Sequence, residues 1–149
     1  CCITMTKSQR CLTQLAIPIR FLFIIVSFFV TIQILESKST NINNSFAQST
    51  PSQSQYDAAN ASVIAACVWL FINHAICLAC YILGCSFFNG ALMFLDIVIF
   101  MFCMIWGLMY IYLEWHHGRI WLNTVITILP AVLNVWEVYK IFWLKEKEY

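Results

Sequence analysis

Charge is what this chain has least of. Only 10% of its 149 residues are Asp, Glu, Lys or Arg, whereas 62% are hydrophobic. That is the reverse of what a soluble surface needs. The net charge is +1, and no block of basic residues exists to neutralise a phosphate backbone, which removes nucleic-acid binding from consideration. No Ser/His/Asp set, glycine-rich phosphate loop or paired carboxylates outside the apolar segments can be found, so the chain reads as a non-enzyme with no cofactor and no metal site. The first apolar segment lacks a small-residue cleavage site and is too long for a removed signal peptide. Met5 is a candidate start, with Cys1–Thr4 as an artefact of sequence derivation.

Long apolar runs are what remains. They cover about 17–35, 61–84, 91–112 and 120–144, each roughly 19 to 25 residues. At 1.5 Å per residue each run crosses a hydrocarbon core of about 30 Å. None shows period-2 alternation, and only helices or closed barrels satisfy their backbone in lipid, so all four read as helices. The expected fold is a compact four-helix membrane bundle in a single domain. Segment 36–57 is rich in Ser, Asn, Gln and Thr and is expected to be a mobile outer loop.

Lys7, Arg10 and Arg20 precede or open the first run, and Lys140, Lys145 and Lys147 close or follow the last. The opposite side carries only Lys38 and Arg119. The basic excess therefore puts both termini in the cytosol. Trp115, Trp121 and Tyr56 sit where interface aromatics belong on the outer face, as Trp143 and Tyr149 do on the inner. None of the eight cysteines falls in either outer segment, which argues against a disulfide framework. Cys85 is a candidate for palmitoylation beside the membrane, and Cys11 a weaker one. The sequon at Asn43 is a candidate glycosylation site; Asn60, in a second sequon, lies too close to the membrane.

Polar residues inside the runs are patterned. Asn123, Thr127, Pro130, Asn134 and Glu137 recur at four, three, four and three residues, forming one stripe on the last helix. The second helix offers Ser62, Ala66, Asn73, Cys77, Cys80 and Gly84, the first Ser27 and Thr31, and the third Asp96, Cys103 and Gly107. Asn73 and Asn134 fall within about one turn of the midplane, and Asp96 and Glu137 lie roughly 8 Å toward the cytosol. An Asp96–Lys140–Glu137 cluster that fixes helix register is the favoured reading of these charges. A proton or ion path through the same groups is the alternative; it lacks ionisable partners in the outer half. His74 is expected to bond a neighbouring helix rather than a metal. Cys77-x-x-Cys80 has redox spacing, but no accessible thiolate or second cysteine pair, so helix packing is favoured over thiol chemistry. His116 and His117 have only Glu114 as a third metal ligand, too few to favour a site. Pro130 should bend the fourth helix and free the carbonyl near Ile126, with Thr127 placed to satisfy it.

The fourth run carries a likeness. Trp121, then Leu129-Pro130-Ala131-Val132 in mid-helix, then Phe142, Leu144, Lys145 and Lys147 before Tyr149, resembles the C-terminus of the transmembrane protein 107 family. Arg20-Phe21-Leu22, Tyr56-Asp57, Phe88-Asn89 and Glu114-Trp115 fit in order, so the likeness spans roughly 20–149. In the family pattern an acid follows the Leu-Pro-Ala-Val run by two residues, where this chain has Asn134. The resemblance implies four spans, cytosolic termini and a scaffold role at the ciliary transition zone. It also implies partners among tectonic and other Meckel-syndrome module components, besides membrane lipids, and an influence on ciliary membrane composition and cilium assembly.

Overall fold

The computed structural model describes residues 7–46, 52–84 and 90–143, with side chains from Gln14 onward. Four helices carry the chain: α1 (Lys7–Ser45), α2 (Gln53–Ile82), α3 (Gly90–Tyr112) and α4 (Ile120–Phe142). A 3-10 turn, His117–Arg119, leads into α4. All four are long and apolar enough to cross a membrane, and the described residues contain no strand.

The buried positions explain why the helices assemble as they do. On α2 they include Ala59, Val63, Ala66, Leu70, Asn73, Cys77 and Cys80, alternating at four and three residues. On α3 the row is Met93, Asp96, Phe100, Cys103, Gly107 and Tyr110; on α4 it is Ile120, Asn123, Thr127, Pro130 and Asn134. Arg20, Ile24, Ser27, Thr31 and Ile34 continue the same spacing on α1. A 3-4 alternation averages 3.5 residues per turn, the period of helices packed at shallow angles around a common seam.

Around that seam α1 lies between α2 and α3, and α4 closes the ring between the same two helices. The contacts fix direction. Arg20 meets Asp96, Ser27 meets Phe100 and Asn44 meets Glu114, so α1 and α3 run parallel. Trp121 meets Ser62 and Thr127 meets Asn73, so α4 runs parallel to α2. One layer takes a residue from every helix: Ile24, Cys77, Phe100 and Ala131. The outward faces carry large apolar side chains such as Phe29, Trp69, Phe94, Val125 and Val132. Lipid is the solvent those faces suit.

Segment 36–57 departs from expectation. Instead of an irregular loop, α1 continues through Ser45 and α2 begins at Gln53; residues 47–51 lie outside the described set. The continuation has a cause in packing. Asn41 and Ile42 fall on the face already buried by Val30 and Ile34 and are themselves wholly buried. The small polar side chains fold back on the helix, Ser37 Oγ donating to the Ile34 carbonyl (3.3 Å) and Ser45 Oγ to Asn41 (2.7 Å). At the start of α2, Ser52 and Gln55 form a capping box, satisfying two amides that helix formation would otherwise leave bare. Polar composition signalled a loop here, but tertiary burial and capping override it.

Candidate functional site: a polar seam inside the bundle

The strongest polar group inside the bundle is one that the charge count had assigned to the membrane surface. Arg20 has no exposed surface at all. Its Nη2 lies 2.5 Å from Asp96 Oδ2 and donates to Asn134 Oδ1 at 2.7 Å. Asn134 Nδ2 in turn donates to Asp96 Oδ2 (2.9 Å) and to the Pro130 carbonyl (2.8 Å). The Tyr81 ring lies 5.9 Å from the guanidinium carbon. One guanidinium thus gathers residues from all four helices. An unpaired charge at this depth would be costly, and a charge-assisted bond to a carboxylate offsets that cost.

This corrects the expected Asp96–Lys140–Glu137 cluster. Asp96 and Asn134 do meet, but their cation is Arg20. Lys140 pairs instead with Glu137, one turn away on its own helix, at 3.3 Å, with both side chains partly exposed. The geometric reason is facing: Arg20 sits on the seam of α1, whereas Lys140 lies off the seam of α4. Arg20 could have been recognised from sequence, because it is four and seven residues before Ile24 and Ser27.

Toward the middle of the bundle, Asn73 Nδ2 donates to Thr127 Oγ1 at 3.0 Å, tying α2 to α4. Thr127 Oγ1 donates to the Thr124 carbonyl at 2.8 Å, not to Ile126 as the proline argument had it, and the Thr124 hydroxyl reaches the Ala66 carbonyl at 3.4 Å. Asn123 Nδ2 donates to the Cys103 carbonyl at 3.3 Å, joining α4 to α3. Helix α4 runs unbroken from Ile120 to Phe142 with Pro130 inside it, and the Pro130 carbonyl accepts from Asn134. Within the Leu129–Val132 run, Pro130 and Ala131 point inward while Leu129 and Val132 face out.

His74 is buried, but its Nδ1 contacts the Leu70 carbonyl of its own helix at 2.5 Å rather than a neighbouring helix. Its ring lies 5.4 Å from that of Phe100. The Cys77 and Cys80 thiols are closed into the core, Cys77 within the four-helix layer. Thiol chemistry needs access, and this pair has little. At the far end of the bundle, Glu114 accepts from the Asn44 amide, His117 N–H donates to Ser45 Oγ at 3.0 Å, and the His117 ring stacks on Phe46. Those contacts clasp the α3–α4 connection to the end of α1. His116 Nδ1 is taken by the Gly118 amide at 3.2 Å. Asn43 is exposed on the last turn of α1. Cys85, Lys145, Lys147 and Tyr149 lie outside the described residues, and so does the side chain of Cys11.

Apolar on the outside and hydrogen-bonded along its axis, the molecule is a four-span α-helical membrane protein. More narrowly, the chain belongs to the TMEM107 transmembrane protein family, whose model matches residues 16–138. That stretch includes every member of the polar seam. Comparisons with curated proteins and with solved structures return no match.

Proposed function

We propose that this protein is a non-enzymatic membrane scaffold of the ciliary transition zone. In this reading it helps to assemble the Meckel-syndrome module, with tectonic and other module components as partners, and so shapes ciliary membrane composition and cilium assembly. Membership of the TMEM107 family is the observation that carries the proposal. The way the polar groups are used supports it: Arg20, Asp96, Asn134, Asn73 and Thr127 bond one another across helix boundaries. Groups committed in this way hold a bundle together, leaving the apolar outer faces to lipid and lateral partners.

Both termini are assigned to the cytosol. With Arg20 internal, Lys7 and Arg10 at one end of the chain and Lys140, Lys145 and Lys147 at the other still outnumber Lys38 and Arg119. The proposal is tested by imaging a tagged full-length copy in ciliated cells. A band between basal body and axoneme is expected. Diffuse plasma-membrane or endoplasmic-reticulum signal without that band would overturn it.

A further inference from the structure

Several buried polar atoms of the seam are left without a partner by the bonds described above. Asp96 Oδ1, His74 Nε2, Asn123 Oδ1, Asn41 Oδ1 and Nδ2, and the Tyr110 hydroxyl are all buried and have no hydrogen-bond partner in the described structure. The five side chains that own them are each at least nine-tenths buried and come from all four helices. With His74 Nδ1 donating to Leu70, its Nε2 is a bare lone pair. With Asn123 Nδ2 donating to Cys103, its oxygen is the bare atom. Four of these six atoms are therefore pure acceptors; Tyr110 O–H and Asn41 Nδ2 can donate, and Arg20 Nε is a further buried donor on the side chain that pairs with Asp96.

Repacking cannot cure that imbalance. Asn41 and Tyr110 are neighbours, and a small rotation would join hydroxyl and amide directly. Asp96 Oδ1 could likewise take the Arg20 Nε proton, but His74 Nε2 and Asn123 Oδ1 would still lack a donor. Buried polar groups left in that condition are rare, and the usual remedy is ordered water.

Spacing points the same way. The Asp96 carboxylate, the Phe100 ring beside His74, the Cys103 carbonyl beside Asn123, and Tyr110 beside Asn41 are separated along α3 by four, three and seven residues, with Gly107 near the Asn123 amide inside the longest interval. One helical turn is about 5.4 Å. A water making two hydrogen bonds of about 2.8 Å spans about the same length. We propose that the bundle encloses a short file of internal waters along its axis, donating to His74 and Asn123 and extending toward the Asn41–Tyr110 pair. A cation is the poorer occupant: Arg20 already neutralises Asp96, and the remaining acceptors are strung out one by one rather than converging. The buried Arg20–Asp96–Asn134 bonds close one end of the file, so it is an internal component and not a through pore.

Water-edited solid-state NMR of the full chain in proteoliposomes tests this directly. Magnetisation starting on water should reach the His74 ring and the Asn123 side-chain amide several-fold faster than Ile72 and Ile128, which face lipid. Tyr110→Phe combined with Asn41→Leu should abolish the fast transfer locally while leaving it at His74. If His74 and Asn123 in the unmodified protein fill no faster than Ile72 and Ile128, the core is dry and the proposal fails. Equal, fast transfer at all four sites would overturn it too, because it would mean general wetting rather than an enclosed file.

Discussion

Arg20 and Asp96 form an ion pair at 2.5 Å between two side chains with no exposed surface. Breaking such a pair from one side strands a charge in a medium that cannot solvate it. Arg20→Leu should therefore cost about 3–5 kcal/mol, while replacing both partners, Arg20→Leu with Asp96→Leu, should recover much of the loss. Reversible unfolding in bicelles, monitored through the tryptophans, measures both. A single variant as stable as the parent would mean that Asp96 is already neutral or otherwise satisfied.

Gly107 sets how closely α1 can approach α3. A Cβ built there would lie 2.6 Å from Val30 Cγ1 and 3.3 Å from Ile34 Cδ1. Val30 is β-branched and has few rotamers to retreat into. Gly107→Ala is expected to destabilise by about 1–3 kcal/mol, more than the roughly 1 kcal/mol that alanine returns in helix propensity. Adding Val30→Ala should relieve the clash and restore most of the stability. Failure of that rescue would place the strain elsewhere.

Much of this seam was legible in advance. Asn123, Thr127, Pro130 and Asn134 on α4, and Ala66, Asn73, Cys77 and Cys80 on α2, fall inward because the 3-4 period is a property of the sequence itself. Two things were hidden. Arg20 reads as a flanking charge when residues are sorted by type, since basic residues at helix ends ordinarily reach the headgroups; only its phase relative to Ile24, Ser27 and Thr31 reveals that it turns inward. The helical stretch from Glu36 to Ser45 was hidden by composition: Asn41 and Ile42 keep the buried phase, but the polar residues around them mask it.

Lys140 provides a contrast with Arg20. Its bond to Glu137 is a 3.3 Å pair within one helix, and water or headgroups reach both side chains. Exposed pairs of this kind contribute less than about 1 kcal/mol. Lys140→Met is expected to shift the unfolding transition little or not at all in the assay that detects Arg20→Leu. A loss comparable to that of Arg20→Leu would show that Lys140 serves the buried cluster after all.

Asn73 and Thr127 should rank between these extremes. Hydrogen bonds between membrane helices average about 0.6 kcal/mol and reach about 1.7 kcal/mol. Thr127 Oγ1 keeps its bond to the Thr124 carbonyl when Asn73 is removed, so Asn73→Leu leaves no new orphan hydroxyl proton. A double-mutant cycle with Thr127→Val is expected to give a coupling energy within that range. Zero coupling would mean that the 3.0 Å contact contributes nothing to the α2–α4 interface.

The burial of Arg20 bears on topology as well. A guanidinium held by Asp96 and Asn134 is no longer free to interact with lipid headgroups, so orientation falls to the remaining basic residues. Neutralising Arg20 should lower stability without inverting the protein. Neutralising Lys7 and Arg10 together should loosen orientation while leaving the buried ion pair intact. Epitope tags at either terminus of the parent protein should be reached by protease only after the plasma membrane is opened, and an acceptor sequon engineered into the 47–51 connection should be glycosylated. A terminal tag digested on intact cells would reverse the assignment; inversion by Arg20→Leu alone would show that Arg20 acts on topology before its burial is complete.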